Sequence, residues 1–341
     1  MVTNSYLKAI SESKSFWWND SADYAKMDEA IENGATGVTT NPLLVKRSLY
    51  AYPDFWKPFI QDALSLEGDA KAEAIIKGIT IEIAKKFQPI YEKTGGVQGY
   101  VCAQVNPKKQ GDTEAMIANG KRLAAWAPNI AVKVPATSAG IRAIEDLQAA
   151  GVTTVGTVSF TVAQAVAIAA AQQRGLERCR KAGIPEGKCF SVIMVGRLDD
   201  YLRDVICDQQ LPVSEEAIIH AGTACIKKAY AICRKLGYES KLMPAGMRGG
   251  YHAVDLADAD MSMSLSEGIH AKLAKETAFV PHIDEPVDGK YLEELHACPE
   301  FLKAYYPALL PEKEFVAYGA SQRTLSQFVD AGWGPIAEFT F

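Results

Sequence analysis

In the stretch Ile130-Ala-Val-Lys-Val-Pro-Ala-Thr137 a single lysine, Lys133, stands inside a run of apolar, β-type residues. Such a lysine either reaches solvent or an ion pair along its stem, or it is buried. Burial disfavours the ammonium form, and a neutral amine can attack a ketone to form a Schiff base. Asp20, after Phe16-Trp-Trp-Asn19, is placed to serve as an acid or base, or equally as the N-cap of the helical pattern at 22–33. Thr40 and Asn41 lie in the turn Thr39-Thr-Asn-Pro42. Asn-Pro is common turn punctuation, while the Asn41 amide also offers a donor and an acceptor to a substrate hydroxyl. Arg197, in Met194-Val-Gly-Arg197, and Arg248, in Pro244-Ala-Gly-Met-Arg-Gly249, carry guanidinium forks that suit a phosphate. For Arg197 the plainer role is an ion pair with Asp199, Asp200 or Asp204.

Short apolar runs must hold these residues in place. Eight of them are expected strands, at 15–18, 37–40, 100–104, 130–134, 152–157, 191–194, 241–244 and 261–265. Helical patterns, with apolar residues three and four apart, fall between them at 70–93, 113–126, 140–149, 162–181 and 215–236. This alternation predicts parallel strands joined by crossover helices, and eight strands predict a TIM-type (β/α)8 barrel. Chemistry in such a barrel sits at the C-terminal strand ends, where Asp20, Asn41, Gln104, Lys133 and the two arginines fall. Residues 271–341 are rich in Tyr, Phe, Pro and Trp and are expected as a C-terminal helical extension packed on the barrel. The whole of 1–341 then forms one domain.

Composition narrows the function. Apolar residues make up 48% of the 341 and charged residues 23%, as in soluble globular proteins. No run approaches the length of a membrane span, and the N-terminus lacks the apolar segment of a secretion signal, so a cytoplasmic protein is expected. The formal charge is −5, with Lys and Arg scattered, which argues against nucleic acid as a partner. Seven cysteines, odd in number and without a C-x-x-C pair, read as reduced core thiols. No two of the five histidines have metal-ligand spacing, so neither a metal nor another cofactor is expected. Association with further copies of the chain is left open.

Taken in order, the segments resemble the transaldolase family from about residue 20 to residue 265. The carriers are Asp20-Ser-Ala-Asp23, Gly37-Val-Thr-Thr-Asn-Pro42, Val132-Lys-Val-Pro-Ala-Thr137 with Gly140-Ile-Arg-Ala-Ile144, Gly156-Thr157 with Ala163-Gln-Ala165, and Val195-Gly-Arg197. The resemblance implies a transferase of carbohydrate metabolism, of the pentose phosphate type, that moves a dihydroxyacetone unit between small-molecule sugar phosphates. It implies that Lys133 forms the Schiff base and that Asp20 handles the proton of the C4 hydroxyl. Thr157 matches the threonine that holds the catalytic water, Asn41 the asparagine on the donor's hydroxyls, and Arg197 and Arg248 the arginines on the phosphate.

Two positions depart from that pattern. Transaldolases place a glutamate at the end of the third strand, whereas this chain has Gln104, which resembles the related fructose-6-phosphate aldolases. Those aldolases carry a tyrosine where this chain has Met194, and transaldolases a phenylalanine. Neither Gln104 nor Met194 moves a proton. The alternatives are therefore an aldolase-like lyase, a transaldolase acting on a variant ketose such as a sulfonated one, or a catalytically silent barrel that only binds.

Overall fold

The computed structural model describes residues 4–276 and 278–341. Residues 1–3, in the segment read for a secretion signal, and residue 277, in the expected extension, lie outside the described residues.

Eight parallel strands form the expected barrel: β1 (Phe16–Asn19), β2 (Gly37–Val38), β3 (Tyr100–Gln104), β4 (Ile130–Pro135), β5 (Thr154–Thr157), β6 (Cys189–Ile193), β7 (Lys241–Pro244) and β8 (Ser262–Leu265). Each of β1 to β6 pairs with the next in sequence, β1 also pairs with β8, and an isolated parallel bridge from Leu242 on β7 to Met261, the residue before β8, brings the two remaining edges together. β2 is shorter than expected because the chain leaves the ladder after Val38, and the Thr40 hydroxyl donates instead to the Cys102 carbonyl (2.8 Å). On the barrel axis, near the N-terminal strand ends, Trp18 packs edge-on against Phe190 at 4.8 Å and stacks on Tyr100. Trp18 also presses on β2, where only glycine fits: a Cβ on Gly37 would lie 2.7 Å from the indole and 2.8 Å from the Tyr100 carbonyl. This end of the barrel is plugged, which leaves the other end for ligands.

Crossover helices start where the sequence supplies caps. Asn41 caps Pro42–Ala51, Asp112 caps Thr113–Ala124, Thr137 caps Ser138–Ala149 and Thr161 caps Val162–Lys181, each side chain accepting a first-turn N–H. Two expected helices are interrupted. Residues 22–33 form a 3-10 turn, Tyr24–Lys26, and a short helix, Met27–Glu32. Residues 215–236 break into Glu215–Ile218 and Ala221–Leu236, because the second helix starts afresh where Gly222 packs on Val195 and donates to Asp199.

After β8 the chain forms further helices, including Gly319–Phe328, that bury Phe301, Phe328 and Trp333. Each such side chain contributes roughly 1.5–3 kcal/mol of apolar burial. Specific bonds tie them to the barrel: Trp333 Nε1 donates to Asp69 (2.9 Å) and Gln164 Nε2 to Ser321 (3.1 Å). The cysteines are free thiols, all buried except Cys207. No described helix is long and apolar enough to cross a membrane.

Candidate active site

The C-terminal strand ends open onto a cavity of about 580 Å³, lined in part by Asp20, Asn41, Lys133, Thr157, Met194, Arg197 and Arg248. Lys133 is 6% exposed on β4, and its amine donates to the Thr40 carbonyl at 3.3 Å. Among the described residues it forms no ion pair, so the strand-edge role does not apply. In the ladder it is level with Gln104 on β3. Gln104 and Thr40 are not among the residues that line the cavity, and the buried Oε1 of Gln104 has no hydrogen-bond partner among the described residues. An unpaired buried acceptor beside an amine is a seat suited to water.

Asp20 does not cap the helix that follows. That work falls to Asp23, whose carboxylate accepts the Ala25 N–H at 3.1 Å. The Asp20 carboxylate turns to the cavity and accepts the Thr39 hydroxyl (2.9 Å), which is itself 2.6 Å from Ser264 on β8. Having given its hydrogen to Asp20, Thr39 can only accept from Ser264. Asn41 lines the cavity while its Oδ1 accepts the Leu44 N–H (3.0 Å), and its amide nitrogen makes no hydrogen bond among the described residues.

Thr157 ends β5, and the next residue, Val158, has φ of 51°. For a β-branched residue that left-handed turn is strained, and such strain concentrates at functional sites. The matching motif residues nearby are structural: Thr137 caps a helix, and the Gln164 carbonyl accepts the Phe160 N–H at 3.0 Å.

The arginines behave differently from each other. Arg197 pairs with none of the three aspartates; its Nη1 donates to Gln327 (2.5 Å). Asp200 instead binds Arg248 (Nε to Oδ2, 2.7 Å) and Arg203, Asp204 binds Arg323, and Asp199 binds His252. Burial first, and the neighbouring Arg248 second, hold the Arg197 guanidinium below its usual value, though it stays charged. Met194 borders the cavity with a thioether and no hydroxyl.

Several wall residues were not anticipated. Ser264 sits at a strand end, where the barrel rule points. Gln327 comes from the C-terminal helices, 130 residues from the arginine it touches, and no local signal marks it. Arg47, on Pro42–Ala51, is exposed on the rim.

The family model described as Transaldolase/Fructose-6-phosphate aldolase matches residues 17–312. Transaldolase 1 of Streptomyces avermitilis is 30% identical over 261 residues, covering 73% of this chain and 66% of that protein. Transaldolase 2 of Streptomyces coelicolor is 26% identical over 304 residues, 84% of this chain and 77% of that one. The transaldolase of Thermobifida fusca is 30% identical over 209 residues, 58% and 54% respectively. The chain thus spans just under two thirds of the first relative and a little over half of the third. With a match that runs from β1 through the barrel into the helices beyond it, the chain belongs to the transaldolase/fructose-6-phosphate aldolase family.

Proposed function

We propose that this protein transfers a dihydroxyacetone unit between sugar phosphates through a Schiff base on Lys133. One observation carries the proposal: a buried amine that has no counter-ion among the described residues ends in the same cavity as the Asp20 carboxyl and an Arg197 guanidinium that is bonded to Gln327 but to no carboxylate among them. The Lys133 amine adds to the C2 carbonyl of a ketose phosphate whose phosphate lies on Arg197 and Arg248, and water leaves to give an iminium. Asp20 then takes the proton of the C4 hydroxyl. The C3–C4 bond breaks, its electron pair passes into the iminium to form an enamine, and the aldehyde departs. When the acceptor aldehyde arrives, the enamine adds to it and Asp20 returns the proton to the new alkoxide. Water held by Thr157 and Gln104 finally frees the product ketose from the lysine.

Transfer outpaces release to water. Release without an acceptor needs a proton at the enamine carbon, and Gln104 and Met194 supply none. Fructose 6-phosphate incubated with and without erythrose 4-phosphate tests this. The expected result is sedoheptulose 7-phosphate as the main product, with little free dihydroxyacetone. Equal rates of dihydroxyacetone and glyceraldehyde 3-phosphate formation without an acceptor would replace transfer by simple aldol cleavage.

A further inference from the structure

His252 and Asp199 are fully buried, and neither lines the cavity. His252 Nε2 and Asp199 Oδ2 are 2.8 Å apart. The second carboxylate oxygen accepts the Gly222 N–H at 2.8 Å, and His252 Nδ1 accepts the Arg248 backbone N–H at 3.4 Å. A ring nitrogen that accepts from an amide carries no hydrogen, so this bonding pattern assigns the ring hydrogen to Nε2, aimed at Asp199. Each polar atom of the pair is thereby satisfied, as burial of an acid and an imidazole requires.

The location of the pair suggests its use. Asp199 lies two residues beyond Arg197 on the helix Val195–Asp208, and His252 four residues beyond Arg248 on Tyr251–Val254. The bond therefore joins the two segments that carry the guanidinium groups to the cavity. At the same junction a Cβ on Gly196 would lie 2.5 Å from the Gly246 carbonyl and 2.9 Å from the Arg248 nitrogen, so the two backbones touch. Two like charges held at one cavity repel, and their spacing needs a rigid support behind them.

We propose that the buried Asp199–His252 pair positions a two-arginine anion clamp, fixing Arg197 and Arg248 at the spacing a phosphate needs without touching substrate. This role rests on Arg197 and Arg248 being the phosphate-binding pair.

Four variants of the full chain decide it: His252→Leu, His252→Gln, Asp199→Asn and Arg248→Ala. Each is assayed with fructose 6-phosphate and with unphosphorylated fructose as donor. Glutamine can repeat the histidine's pattern, accepting from Arg248 with Oε1 and donating to Asp199 with Nε2. Asparagine keeps the shape of Asp199 but cannot accept from both Gly222 and His252. His252→Leu and Asp199→Asn should raise KM for fructose 6-phosphate roughly tenfold and leave kcat and the fructose reaction within about twofold. His252→Gln should recover most of the loss. Equal losses on both donors, or an unchanged KM in the leucine and asparagine variants while Arg248→Ala shows the split, would overturn the positioning role. If His252→Leu does not fold, the glutamine and asparagine variants carry the same comparison. If Arg248→Ala itself shows no split, the phosphate assignment fails and the positioning role falls with it.

Discussion

Lys133, Asp20 and Arg197 share one property: each places a charge-bearing group at the cavity without a side-chain ion-pair partner among the described residues. A structural salt bridge would have consumed that group, as Asp200 partly consumes Arg248. Arg197 should therefore hold the substrate anion more tightly than Arg248. Arg197→Ala is expected to raise KM for a phosphorylated donor by at least tenfold, since a charge-assisted bond contributes about 1.5–3 kcal/mol, and Arg248→Ala by less. Steady-state kinetics with both donors checks the order, and a larger effect at Arg248 would reverse it. A second residue-scale expectation concerns stability. Burial holds His270 down at about 4 from its ordinary 6.5, against the opposing pull of its bond to the Leu265 carbonyl. The unfolded chain takes up this proton as pH falls through 6.5, and the folded chain does so only near 4. The stability is thus complete above 6.5 and is lost as pH falls from there to about 4, by up to about 1.4 kcal/mol per pH unit. His270→Gln can keep the bond to Leu265, so it should lose less stability than the parent between pH 7 and pH 5. Urea midpoints at the two values measure this, and identical losses would contradict it.

The strands were the most legible elements. Apolar runs alternating with helical patterns located all eight, because a barrel strand surrounded by helices is largely apolar along its length. Their C-terminal ends then pointed to Asp20, Lys133 and Arg197 by position alone. Less visible were features set by contacts between elements. The 3-10 turn after Asp20 and the break before Gly222 depend on partners distant in sequence, so periodicity alone runs through both. Nor does His252 announce its bond to Asp199, since the two are 53 residues apart. Gly37 tests the packing on which the barrel depends. Gly37→Ala drives a methyl into Trp18 and the Tyr100 carbonyl, and the strain should cost about 1–3 kcal/mol. A lowered denaturant midpoint is the expected reading, and an unchanged one would mean that Trp18 can move aside.

At the scale of the whole molecule, the barrel brings the Lys133 amine and the Asp20 carboxyl to the cavity, and the later helices complete the wall with Gln327 against Arg197. The sequence marked those helices by their aromatic content but gave no sign that one of them reaches the cavity, because a contact spanning 130 residues leaves no local pattern. All of these parts converge on Lys133, and its chemistry can be read directly. Borohydride added to the protein with fructose 6-phosphate should reduce the adduct in place, and mass spectrometry should find the added mass on the peptide containing Lys133. Labelling of a different lysine, or labelling that persists in Lys133→Ala, would contradict the account.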